Sequence, residues 1–159
     1  ASLIPRWLVL RWGLTLFPLG DHGVENIKEI SQSKSDRRLD DEVYWEIDAI
    51  SLMLKKFIDL AIRVLRDNSL EFMASQKIDR DATPKWEMMA KAHPNGVTSE
   101  GTPAKGSMTL EATMRHIYFE EVTHLYNIQR LKKAQGSTPK VVMPNVGYWT
   151  LDGWDRSQP

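Results

Sequence analysis

The chain has 159 residues, about the length of one domain, and can bury roughly two thirds of the surface it exposes when unfolded. Its 21 basic residues balance 21 acidic ones, which removes the field that would draw it to nucleic acid or to an anionic membrane. Cysteine is absent, so disulfide scaffolds, thiolate zinc sites, thiol nucleophiles and CxxC redox chemistry are excluded, and any metal must be held by His, Asp or Glu.

From the N-terminus, Leu3, Ile4, Trp7, Leu8, Leu10, Trp12, Leu14 and Leu16 offer apolar surface. Gly13, Pro18, Gly20 and Gly23 disfavour one continuous helix, so this region is expected to be short or irregular. The most apolar stretch, Trp7 to Leu19, is too short to span a bilayer and carries Arg11 at its centre. It reads as core, and a cytoplasmic protein with no membrane span is expected. Val24, Ile27 and Ile30 suggest a helical piece after Asp21, and residues 31–38 read as a polar linker.

From Asp41 to Asp67, Tyr44, Ile47, Ile50, Leu54, Phe57, Ile58, Ala61, Ile62 and Leu65 recur every three or four positions, which predicts one buried stripe of a long helix. Asp40 and Asp41 supply cap and first-turn charges, and Lys55, Asp59 and Arg63 mark a solvated face. The segment from about 76 to 107 holds Pro84, Pro94, Gly96, Gly101, Pro103 and Gly106 and reads as a long loop, with a helical turn around 86–92. A second long helix is predicted from about Thr109 to Gln135, capped by Ser107 and stopped by Gly136. The tail over 137–159 reads as extended. The pattern as a whole predicts an all-α fold.

At about 100° per residue, Leu110, Met114, Ile117, Leu125, Ile128 and Leu131 share one stripe of the last helix with Glu120, Glu121 and His124. Carboxylates on a core-facing stripe are costly unless paired or bound to a cation. Glu120 and His124, one above the other, can share a divalent ion if a third donor comes from His22, His93 or His116. The plainer reading is that both pair with Lys, Arg, Tyr126 or Trp side chains at a bundle seam. His116 reads as a boundary residue and His93, beside Pro94, as solvated. Glu121 and His124 also spell ExxH, but the second copy that a di-iron bundle needs is missing.

The run from Thr109 to Gly136 resembles the final-helix signature of the DinB-like (DinB/YfiT) family. There a Thr-Leu start leads to a helix carrying His-x-x-x-His, often as His-Glu-x-x-His, then Gln and an aliphatic run ending at Gly. Glu120 takes the first ligand position and His124 the second, while Asn127 stands where the family usually has Gln. With the preceding helix and loop, the resemblance covers about residues 40–136. Pro18 occupies the position of the family's earlier His ligand, and His22, one turn later, is the substitute.

The resemblance implies a four-helix bundle of up-down-down-up type, one domain over 1–159, and a homodimer. It also implies one divalent ion (Zn, Ni, Mn or Fe) on Glu120, His124 and His22, serving a metal-dependent thiol transferase or hydrolase-type reaction on a small-molecule thiol. Glu in place of a His ligand favours harder ions. The alternative is a metal-free DinB-like binding or dimerisation module in which Glu120 and His124 are structural.

Overall fold

The computed structural model describes residues 3–25, 44–81, 86–100 and 105–154, and these fall into two compact units divided after Ile78. The sequence reading treats 1–159 as one domain. The helical piece and linker expected within 26–43, with the Asp40 and Asp41 caps, lie outside the described residues.

In the first unit the apolar N-terminus is helical throughout but not regular: α1 (Leu3–Pro5) runs into a π-helical stretch (Arg6–Arg11) and, after Trp12, into α2 (Gly13–Leu16). Ile4, Trp7, Leu8, Val9 and Trp12 are buried. α3 (Ile47–Asp67) contains no Gly or Pro, and it contacts α1. Its buried side chains are Phe57, Leu60 and Val64. Arg63 ties the following chain to this helix, donating to the carbonyls of His22 (2.7 Å) and Asp21 (3.4 Å) while lying over the Phe17 ring. The short α4 (Leu70–Ser75) is capped by Ser69, whose Oγ accepts from the Phe72 N–H.

The second unit, with the strand that leads into it, overturns the expected all-α four-helix bundle. Three strands, β1 (Lys77–Asp81), β2 (Val97–Glu100) and β3 (Lys105–Thr109), form an antiparallel sheet in the order β1-β3-β2 within the segment read as loop. β2 and β3 pair from Val97–Met108 to Glu100–Lys105. Strands of four or five residues carry too few alternations to stand out from their Gly and Pro neighbours. β2 buries only Val97, so no period is visible in it at all.

α5 (Trp86–Ala92) packs on β2, and α6 (Leu110–Ala134) follows directly from β3. Thr109 rather than Ser107 caps α6, because Ser107 is still paired in β3. The Thr109 Oγ1 accepts from the Ala112 N–H at 3.0 Å. At the other end Gly136, at φ +77°, closes a Schellman motif in which the Ser137 N–H reaches the Lys132 carbonyl (2.8 Å). The tail beyond contains a 3-10 turn (Tyr148–Thr150) that packs on α6. Among the described residues no helix is long and apolar enough to cross a membrane.

Candidate functional site

The polar centre of the second unit is built from three residues far apart in sequence. His93 follows the last turn of α5, its N–H bonded to the Met89 carbonyl at 2.9 Å. His116 projects from α6. Tyr148 is brought in by the tail, where Gly147, at φ +118°, lets the backbone lie against α6, and a Cβ there would sit 3.3 Å from the Phe119 carbonyl. The Trp149 N–H then reaches Thr123 Oγ1 at 3.3 Å, and the Trp149 indole stacks on Tyr126 at 4.3 Å between centroids.

The Tyr148 hydroxyl lies 3.0 Å from His93 Nε2 and 2.6 Å from His116 Nδ1, with the Phe119 ring edge-on to His93 at 4.8 Å. All three members are buried. Burial, with the positive charge of Arg115, pushes His93 down to about 4. Burial, with His93 and Arg80, pushes His116 down to about 3. Burial, with the negative charge of Glu120, raises the Tyr148 hydroxyl far above its ordinary range. Near neutral pH all three are therefore uncharged.

The hydroxyl has one proton to give, so at least one imidazole must donate to it, and the arrangement that leaves no proton stranded has the other accept. Among the described residues His93 Nδ1 is buried with no hydrogen-bond partner. A bare lone pair there is the less costly choice than a stranded N–H. This places the His93 proton on Nε2, donating to Tyr148, and the tyrosine proton on the line to His116 Nδ1. The arrangement is a clamp joining α5, α6 and the tail. Tyr148→Phe is expected to cost about 2–3 kcal/mol, since two buried nitrogens lose this partner while ring packing is kept. Urea unfolding at pH 7 measures it, and a change under about 0.5 kcal/mol would contradict the clamp.

Glu120 lies one turn beyond His116 on α6, and His124 one turn further. His124 Nε2 is 3.7 Å from Glu120 Oε2, with the imidazole 64% exposed and the carboxylate 29%. Past Phe119 the buried side of α6 is that of Val122, Thr123 and Gln129, while Ile128 and Leu131 are more than half exposed. The helical wheel fixes which residues share a face, not which face is covered. Of the other readings, His93 is fully buried rather than solvated, and His116 is core rather than boundary.

His22 belongs to the first unit, where its Nδ1 accepts from the Val24 N–H at 3.1 Å and its ring meets Phe17 edge-on. The structure thus brings Glu120 and His124 together and leaves His22 in the other unit. Among the described residues no group of three or more His, Asp or Glu side chains is arranged to hold a metal. A catalytic ion ordinarily has three protein donors. The Glu120–His124 pair by itself supplies two donors.

The sheet face carries a separate open cleft of about 700 Å³ whose lining includes Asp79, Arg80, Glu100 and Lys105, charges of both signs. No protein-family model, curated protein or solved structure matches this chain.

The sequence reading missed Tyr148 altogether. The one local signal for it was Gly147 between Val146 and Tyr148, a glycine placed where an aromatic tail must turn onto a helix.

Proposed function

We propose that this chain works as an association module whose working surface is an apolar side of α3, with Glu120 and His124 serving as a surface pair of α6. What supports the reading is the mismatch between how much of α3 is apolar and how much of it is covered. Phe57, Leu60 and Val64 lie within about 60° of one another on the helix and face the core of their unit. A second line, Ile47, Ile58, Ile62 and Leu65, lies about 80–140° round from Phe57 and is 71%, 42%, 54% and 49% exposed. Single exposed apolar residues are ordinary, but Ile58, Ile62 and Leu65 lie within about two turns of one another, with Ile47 about three turns before them on the same line, and an aligned apolar face of this kind marks an interaction site.

The reactive side chains of the second unit support the same reading. His93, His116 and Tyr148 are neutral, buried and bonded to one another, and Glu120 and His124 form an i, i+4 pair with an exposed imidazole and a half-buried carboxylate. A DinB-like origin for α6 is compatible with a binding role.

The variant Ile58→Gln/Ile62→Gln tests the surface directly, since Gln is a good helix former and adds no charge. In dilute solution its unfolding free energy should stay within about 0.5 kcal/mol of wild type. A loss above about 2 kcal/mol would mean that the line is covered by the chain's own residues, and would remove the association reading.

A further inference from the structure

The exposed line of α3 is bordered on its solvent side by a row of four charges, Asp48, Lys55, Asp59 and Arg66, which fall within about 40° of one another on the helix. Their signs alternate along the row: minus, plus, minus, plus. Their spacing is symmetric about Phe57, with Lys55 and Asp59 two residues to either side and Asp48 and Arg66 nine. Reversing the row therefore puts every charge opposite its complement. The opposite border of the line, Ile50, Leu54 and Ala61, is apolar and half-buried.

That pattern discriminates between partners. When two identical helices pair antiparallel about a two-fold axis, each border meets the same border of its partner in reverse order. When they pair parallel, each border meets the opposite one, which here would set charges against apolar side chains. Resting on the association reading above, we infer that the partner is a second copy of this chain, docked antiparallel along α3 with the two-fold axis beside Phe57 and Ile58. Asp48 then faces the partner's Arg66 and Lys55 faces the partner's Asp59.

Within one chain Lys55 already bonds Asp59 at 3.0 Å and Arg66 bonds Asp67 at 2.9 Å. Both bridges are exposed, so their remaining donors and acceptors are open to a second copy. The line from Ile47 to Leu65 is about 27 Å long. One helix face of that length lies at the low end of interface sizes, so self-association belongs in the micromolar range or above.

Because the chain has no cysteine, single substitutions report which positions meet. In the antiparallel pair Ile58→Cys lies near the axis and its own copy, whereas Ile47→Cys lies about 30 Å from its copy. Under mild oxidation at 100 µM protein, Ile58→Cys should form disulfide dimer at least tenfold faster than Ile47→Cys, although Ile47 is the more exposed. Lys55→Glu should weaken association about tenfold, and Lys55→Glu/Asp59→Lys should restore it.

Equal cross-linking at both positions, or a double reversal that fails to restore association, would overturn the antiparallel register. A wild type that stays monomeric at this concentration would overturn the second-copy inference. None of these three results touches the association reading, which falls if Ile58→Gln/Ile62→Gln destabilises the monomer.

Discussion

Between pH 6.5 and pH 4 the second unit is expected to lose about 5–7 kcal/mol of stability through two buried histidines. Folded His93 and His116 stay neutral down to about 4 and about 3, against an ordinary 6.5 in the unfolded chain. Above pH 6.5 both states carry neutral imidazoles, and the clamp contributes in full. Below it the unfolded chain takes up two protons that the folded chain refuses. Each costs about 1.4 kcal/mol per pH unit until its folded value is reached. A loss of that size is comparable with the whole stability of a typical domain. Urea unfolding at pH 7, 6 and 5 measures the slope. In His116→Asn, with one fewer buried imidazole, the slope should fall by about half. Stability that is flat over this range would mean that the histidines are protonated in place, and the neutral clamp would be wrong.

Gly106→Ala is the substitution expected to do most damage for a single added carbon. Gly106 lies in β3 beneath the indole of Trp86, and a Cβ built there would overlap the ring itself. Trp86 is 1% exposed, has Arg80 over its ring, and donates its indole N–H to the Thr98 carbonyl at 2.7 Å. The buried ring has no solvent to move into, and moving it strains the bond to Thr98. Overpacking costs about 1–3 kcal/mol, and a lost indole bond about 1 more, so a fall of about 3 kcal/mol is expected. Near-UV circular dichroism should show the disturbed indole. A variant as stable as wild type, with an unchanged aromatic spectrum, would mean that the sheet and α5 are not packed as described.

How much of this is legible in sequence depends on how local the determining physics is. Helix ends are local: Gly136 stops α6 because only a residue tolerant of positive φ closes the Schellman turn, and the turn around 86–92 forms where Trp86 and Met89 share one face. The cap was misplaced by two residues because Thr109 and Ser107 are both good caps, and only the pairing of Ser107 with Thr98 in the sheet decides between them. The sheet itself was hidden, since its strands bury few side chains each and the glycines that read as loop, Gly96 and Gly106, are where backbone meets Thr109 and Trp86.

The site was less legible than the helices for a related reason. Periodicity placed Glu120 and His124 on the apolar line of α6, but the tail covers a different side, through Tyr148 against His116 and Trp149 against Tyr126. Burial of His93 depends on Tyr148, 55 residues away, and no short-range pattern carries that distance. On α3 the long apolar pattern was read as one buried stripe, whereas it comprises a covered line and an uncovered one. A wide apolar face therefore has two meanings, core or interface, and only exposure tells them apart.

Docking of a second copy along α3 is tested by the weight-average mass of wild type and of Ile58→Gln/Ile62→Gln, measured by sedimentation equilibrium from about 5 to about 300 µM, a range that spans micromolar self-association. Wild type should rise from 18.3 kDa toward twice that value, and the variant should stay at 18.3 kDa with an unchanged circular dichroism spectrum. A variant that associates as wild type does would contradict docking along α3.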